Sequence, residues 1–235
     1  IGIRKNRSGG DKQRFYSPEN FDFSYAYNEL KHRDYEIEMQ QEFNLLLGTN
    51  YGHSFSSKPI EPFKKVKFFN QKKYWQWLKQ LNFNLLPSSL QGSANVNRIL
   101  NIQKFRQVYL EGVDASLQRS LPNLQQRNFL FDYNYALSHN FSKSVRLNFN
   151  ATTSSIIRQN SMVEAGIMNP LLPEKNALWQ GIFNAGEPNN HLQTFSLNYK
   201  LPFQYIPFLS FVDATYNYTG NFNWQRGSEA LSQVK

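Results

Sequence analysis

An all-β fold, forming a segment of a large antiparallel transmembrane β-barrel with one short periplasmic helical insert, is expected from three features of this sequence. The first is an alternation over residues 129–153, with a short break between its two halves. Phe129, Phe131, Tyr133, Tyr135 and Leu137 are interleaved with Asp132, Asn134 and Ser138, and Val145, Leu147, Phe149 and Ala151 with Arg146, Asn148, Asn150 and Thr152. A period of two puts each set on one face of a strand. The second is composition: aromatics are 16%, with 20 Phe and 13 Tyr, yet the mean hydropathy is −0.61. Strands with one greasy and one wet face have that balance. The third is the lack of any apolar run near 18 residues, which leaves no transmembrane helix but does not hinder a barrel.

The alternating pair reads as a hairpin. Setting Leu137 against Val145, Tyr135 against Leu147 and Tyr133 against Phe149 keeps both apolar sets on one side, because directly opposed residues share a face. Taken alone, this hairpin fits a soluble sandwich more simply; the rest of the chain shifts the reading.

In chain order, residues 4–20 are a basic connection punctuated by Gly and Pro. Strands are expected near 20–30, 35–55, 83–102, 127–139, 145–157, 191–201 and 209–224. In the first, Phe21, Phe23, Tyr25 and Tyr27 alternate with Asp22, Ser24 and Asn28. In the second, Ile37, Met39, Phe43, Leu45, Leu47 and Tyr51 oppose Glu36, Glu38, Glu42, Asn44 and Asn50. That strand is about twice the roughly 9–11 residues of a tilted crossing, so it projects beyond a bilayer or breaks near Gly48. Residues 57–82 form a basic insert with an amphipathic helix over 70–81, where Tyr74, Trp77, Leu78 and Leu81 share a face. Trp75 and Trp77 beside lysines suit a membrane–water boundary, the alternative being a helix packed on protein. The next strand shifts phase around Pro87-Ser88-Ser89 and resumes as Leu90, Ala94 and Val96 against Asn95 and Asn97. Residues 103–126 read as a loop, with a strand at 105–117 as the rival, and 158–190 as a long loop rich in Gly, Pro and Asn. After Phe195, Leu197, Tyr199 and Leu201, a turn between Pro202 and Pro207 switches the apolar set to even positions: Val212, Ala214, Tyr216, Tyr218, Phe222 and Trp224.

Counting strands as up and down places 31–34, 103–126, 158–190 and the region after 224 on one side. Residues 5–19, 57–82, 140–144 and 202–207 lie on the other. Outer-membrane barrels put short turns in the periplasm and long loops outside, and the 57–82 insert departs from that rule. The net charge of +9 concentrates in two patches on the short-turn side. Arg4, Lys5, Arg7, Lys12 and Arg14 stand against Asp11, and Lys58, Lys64, Lys65, Lys67, Lys72, Lys73 and Lys79 against Glu61. Seven strands fall short of the eight of the smallest bacterial barrel, and open edges in lipid leave backbone groups unpaired. The chain therefore reads as a segment completed by further sequence or partners.

Four strings then carry a resemblance: RFYSPENFDFSYAYNE (14–29), EPFKKVKFF (61–69), NFNLLPSS (82–89) and LPFQYIPFLSFVDATYNYTGNFNWQRG (201–227). They resemble the SprA family, also called Sov, the outer-membrane translocon of the type IX secretion system of Bacteroidota, associated with gliding motility. The likeness runs from about residue 14 to residue 227 and is weakest at 103–126 and 158–190. It implies one very large chain closing a barrel of about 36 strands, the largest known, through whose lumen folded cargo leaves by a lateral opening. It also implies, as partners, the rest of the same barrel, secreted cargo proteins, a PorV-like smaller barrel, a periplasmic plug protein and outer-membrane lipid. The location implied is the bacterial outer membrane.

On this reading Asp132, Asn134, Arg146, Asn148, Asn150, Asn198, Lys200, Asp213 and Asn217 face a water-filled lumen. Tyr133, Tyr135, Leu147, Phe149, Leu197, Tyr199, Tyr216 and Tyr218 face lipid, and Trp75 and Trp77 anchor the insert at the interface. Mixed charges and amides on the lumen side offer passing polypeptide no large apolar patch. A nutrient-uptake receptor barrel and a small autonomous outer-membrane barrel are the alternatives. No cofactor, metal or catalytic residue is expected. His32, His53, His139 and His191 read as single surface or turn residues without a neighbouring carboxylate. Glu36, Glu38 and Glu42 form a solvated strand face, with a cation site as the alternative. No phosphate-cradle or nucleophile-elbow string occurs, and without cysteine neither disulfides nor thiolate metal sites form. The aromatics near the basic patches fall on faces claimed by lipid or core, so nucleic acid is not expected as a partner.

Overall fold

A computed structural model describes residues 1–5, 14–56, 59–62, 82–106, 123–158, 174–206 and 208–227. They form one antiparallel sheet of eight strands: β1 (Gly2–Arg4), β2 (Phe21–His32), β3 (Ile37–Ser54), β4 (Ser89–Phe105), β5 (Leu124–Asn140), β6 (Val145–Ile156), β7 (Glu187–Lys200) and β8 (Thr215–Gln225). The order in space is the order in sequence, so the sheet is an uninterrupted meander with β1 and β8 at its edges. The one α-helical stretch among the described residues is the turn Glu174–Ala177. None of the described helices is long and apolar enough to cross a membrane.

Register sorts the two faces. One continuous row crosses the sheet as Phe23, Thr49, Ala94, Tyr133, Thr153, His191 and Trp224. The next row runs Phe21, Tyr51, Gly92, Tyr135, Ala151, Gln193 and Phe222 on the same face. The switch to even positions in β8 is real: Tyr199 pairs with Tyr216 and Leu197 with Tyr218.

Several expectations are corrected. The β5–β6 hairpin pairs Leu137 with Phe149 and Tyr135 with Ala151, displaced from the expected register. The Ser142 hydroxyl accepts the backbone N–H groups of Ser144 (3.2 Å) and Val145 (3.0 Å), tightening the turn so that β5 runs on to Asn140. The displacement is even, so both faces survive it. The eighth strand, β1, lies in a stretch too short to show a period. β4 begins at Ser89, with residue 83 joined to Ile60 only by an isolated bridge. Residues 209–214 are turn and coil, and β8 begins at Thr215. β3 passes unbroken through Gly48, where a Cβ would sit 2.4 Å from Ser24 Oγ and 3.0 Å from Asn95 Oδ1. The expected helix at 70–81, with Trp75 and Trp77, lies outside the described residues, as do 107–122. β4 and β5 nevertheless pair directly and antiparallel, which fixes the end of the sheet for every later connection.

Part of the loop expected at 158–190 folds back over the apolar face. Ala177 and Leu178 join Phe43, Leu45, Leu100, Ile102, Phe129 and Ile157 in one buried cluster, with Tyr25, Tyr27, Leu47, Phe131 and Ile182 packed against it. The Trp179 ring stacks on Tyr25 at 6.2 Å. Each fully buried Leu or Phe stabilises this cover by roughly 1.5–3 kcal/mol. Residues 174–186 are thus a strap lying across β2–β5 at the end of the sheet that carries the longer connections.

Candidate functional site

The polar face gathers the residues expected to line water. Asp132 and Asn134 of β5, Arg146, Asn148 and Asn150 of β6, Asn198 and Lys200 of β7 and Asn217 of β8 all occupy it by register. Asp213 lies in the coil before β8, its side chain 87% exposed and 3.6 Å from Lys200 Nζ. Neighbours are joined across strands. Ser154 Oγ donates to Asp132 Oδ1 (2.5 Å), Ser93 Oγ to Asn134 Oδ1 (2.9 Å) and Arg146 Nε to Asn140 Oδ1 (3.0 Å).

The face extends beyond the residues singled out in the sequence. Asn28 opposes Asn44, and Asn50, Asn95, Asn97, Asn101, Asn221 and Asn223 continue the amide surface. The plain alternation already contained that signal. The face is not uniformly polar: Leu46, Ile99, Leu130 and Ile156 sit on it toward the strap end, separated by Asn44, Asn97 and Asn128.

The opposite face holds Tyr133, Tyr135, Leu147, Phe149, Leu197, Tyr199, Tyr216 and Tyr218 by the same register. Their rings contact one another, with Tyr135 and Phe149 5.8 Å apart and Phe195 and Tyr218 6.3 Å apart. Toward β1, the strap overhangs an apolar groove of about 560 Å³ lined by Ile1, Ile3, Phe23, Val96, Trp179 and Phe183.

Two polar side chains on this face are held by neighbours, although Arg98 Nε itself finds no hydrogen-bond partner among the described residues. Arg98 is fully buried on it. Its guanidinium donates to the carbonyl oxygens of Leu178 (2.7 Å), Gln180 (2.5 Å) and Gly181 (2.6 Å), and packs over the Phe129 ring at 5.0 Å. Among the described residues no carboxylate takes part; the strap's backbone solvates the charge. Thr153, also buried, shares a 2.6 Å hydrogen bond with His191 Nδ1, whose Nε2 lies 2.7 Å from Gln193 Nε2.

The histidines and acids depart from expectation. His53 is a buried strand residue beside buried Asn20, and its ring meets Phe55 edge-on at 4.5 Å. His139 Nε2 lies 2.8 Å from the Asn84 carbonyl. His32 does have a carboxylate neighbour, with its Nε2 3.2 Å from Asp34 Oδ2. Glu36, Glu38 and Glu42 do not share a face, because a bulge between Ile37 and Met39 breaks the alternation. Glu38 pairs with Lys104 at 2.7 Å, while Glu42 stays on the polar face opposite Leu30 and Asn101.

The β2–β3 turn is organised by Asp34. Its Oδ1 accepts the N–H groups of Ile37 (2.6 Å) and Glu36 (2.8 Å). The Ile37 N–H does most to hold the Asp34 carboxyl below the ordinary carboxylate range, with His32 and Glu36 adding to it. Among the described residues no group of three or more His, Cys, Asp or Glu could hold a metal ion. No protein-family model matches this chain, and no curated protein matches it.

Proposed function

We propose that the chain is a stretch of the wall of an outer-membrane protein-export channel of the SprA type, its apolar face in lipid and its amide face lining the lumen. The observation that carries this reading is the eight-strand meander, whose faces stay sorted from β2 to β8 while, among the described residues, neither edge strand finds a second partner. Rows of unpaired edge groups do not tolerate lipid, so such a sheet needs further strands on both sides. Secreted proteins would pass along Asp132, Asn134, Arg146, Asn148, Asn150, Asn198, Lys200 and Asn217. A PorV-like barrel and a periplasmic plug protein would be its partners, as the resemblance implies. The role assigned to the wall is passive, and no residue is given a chemical step.

The test is single-cysteine labelling in the intact parent protein within its native outer membrane. Cysteines at Asn134, Asn148, Asn198 and Asn217 are expected to react with a water-soluble maleimide. Those at Tyr135, Leu147, Leu197 and Tyr218 are expected to stay unlabelled. Equal labelling of the two sets rejects the proposal.

A small autonomous barrel is the second reading, favoured by the strand count of eight, the smallest bacterial closure. It requires β8 to pair with β1, whose three residues are far fewer than the eleven of β8. A monodisperse monomer of residues 1–235 with a heat-modifiable gel shift would favour it; aggregation or oligomerisation in detergent would favour the wall segment.

A further inference from the structure

At the end of the polar face opposite the strap, the sheet and its turns enclose a cavity of about 630 Å³ whose lining includes Lys143, Arg146 and Lys200. Arg146 opposes Asn198 across β6 and β7, and Lys200 follows two residues later, so the two cations are diagonal neighbours about 7–8 Å apart along the backbone. Lys143 stands in the adjoining turn, where Ser144 accepts the Lys200 N–H at 2.8 Å.

Two carboxylates face this trio. Glu61 lies 4.0 Å from Lys143, and Asp213 is the exposed partner of Lys200. The exposed Lys200–Asp213 pair contributes little and exchanges readily. Arg146 has no carboxylate partner among the described residues. Its Nε is held by Asn140, which leaves both terminal NH2 groups without a partner among the described residues. A guanidinium fixed at Nε with its fork open is arranged for two-point contact with an oxyanion.

We propose that this cavity binds acidic polypeptide, with Arg146 clasping one carboxylate and Lys143 and Lys200 neutralising its neighbours. The proposal rests on the lumen reading of the polar face. The remaining lining explains why the ligand is a peptide and not a bare anion. Asn148 and Asn198 add carboxamide groups suited to peptide groups. The volume also falls in the roughly 300–1,000 Å³ range of ligand sites. Such a site at the short-turn mouth would catch acidic stretches of a chain on the polar face before they pass further.

The experiment is a fluorescence anisotropy titration of the intact parent protein in detergent with a labelled decapeptide of Asp, Glu and Gly. Saturable binding that weakens with salt is expected. Arg146→Gln with Lys200→Gln should weaken it by at least about tenfold, as the loss of charge-assisted contacts implies. Gly52→Ala, on the same face outside the cavity with nothing within 4 Å of the added methyl, should leave it unchanged. Unaltered affinity in the double variant, or equal binding of a Lys-rich decapeptide, overturns the proposal. Displacement of the peptide by equimolar inorganic phosphate also overturns it, reducing the site to a simple oxyanion site. Cysteine labelling at Asn148 and Leu147 in each variant reports separately on folding and on which face meets water. Failure of peptide binding with the two-faced labelling intact therefore sinks this site and not the wall.

Discussion

The half of the sheet formed by β3–β5 and the half formed by β6–β8 present the same kind of apolar face and cover it differently. Strands β3, β4 and β5 are 18, 17 and 17 residues long, and the strap buries Phe43, Leu45, Leu100 and Ile102 to 1% exposure or less. Strands β6, β7 and β8 have 12, 14 and 11 residues, and Tyr216, Tyr218 and Phe222 remain about half exposed. A tilted crossing uses about 9–11 residues. In the proposed wall, the long strands overshoot it by about seven residues, some 23 Å along the strand. Lipid cannot cover that excess, so the chain supplies its own cover. In that wall the short strands would end near the crossing length and leave their aromatics to the membrane. Strand length thus decides which apolar residues are core and which form an outer surface.

The strongest way to break this contrast is to remove its anchor. Arg98→Ala deprives three strap carbonyls of their donor and leaves a void under Leu178. A loss of about 3–5 kcal/mol in strap stability is expected, read as faster hydrogen exchange and protease cutting over 174–186. The matching truncation in the bare half, Tyr216→Ala, should stay within about 0.5–1 kcal/mol. Similar losses at the two positions would mean that the strap is not what holds the first half.

A charge placed on the bare half sharpens the other side of the comparison. Leu147→Arg is expected to cost about 2–4 kcal/mol if it sits near the membrane midplane, whereas Asn148→Arg, one residue away on the wet face, should cost close to nothing. Refolding titrations into lipid vesicles measure both. Equal costs would remove the distinction between the faces.

A smaller effect is expected at the point where the strap rejoins the sheet. Gly186 has φ +66°, and a Cβ there would meet the Ile156 carbonyl oxygen at 2.7 Å. Gly186→Ala should therefore destabilise the strap by about 1–3 kcal/mol through the left-handed backbone and the contact. Gly52→Ala, where nothing lies within 4 Å of the added methyl, should act only through local strand preference. Thermal unfolding in the same detergent compares the two.

How legible these features were depends on whether they have a period. The two faces follow from alternation, and Tyr133, Leu147, Leu197 and Tyr218 fell on one of them because parity survives any even displacement of register. That same tolerance hid the true hairpin pairing, since moving Leu137 from Val145 to Phe149 changes no face. What fixed it was a serine hydroxyl in the turn. The strap has no period at all, and nothing local marks Leu178 or Trp179 as a lid. Arg98 was the available clue, a cation in a β4 row that otherwise reads Ala94, Val96, Leu100 and Ile102. A charge on an apolar face demands a partner from elsewhere in the chain, and the long loop was the nearest untied segment. The Glu38 bulge was equally invisible, because Glu36, Glu38 and Glu42 keep an even spacing along the chain while the shift lies in the pairing with β4.

The smallest expected effect concerns the β2–β3 turn, at the strap end of the sheet and outside any crossing. Its Asp34 carboxylate accepts the Ile37 and Glu36 N–H groups, and the Arg106 guanidinium donates to the Asp34 carbonyl at 3.1 Å, tying this turn to the end of β4. The folded carboxyl is held below its ordinary range, chiefly by the Ile37 N–H. A carboxyl lowered on folding binds its proton more readily when unfolded. Its contribution is therefore fully present above the unfolded carboxylate pKa of about 3.9 and fades as pH falls through the lowered folded value. Because the group is fully exposed, the effect is local and modest. Hydrogen exchange at the Glu36 and Ile37 amides should accelerate in acid beyond the intrinsic pH dependence, while the strap amides at 178–181, whose carbonyls meet a permanently charged Arg98, keep their protection. Asp34→Asn should raise exchange at those two turn amides near neutral pH and flatten the acid dependence. If the strap loosens in parallel with the turn, the two are one cooperative unit, and the division of the sheet into separately covered halves does not extend to its dynamics.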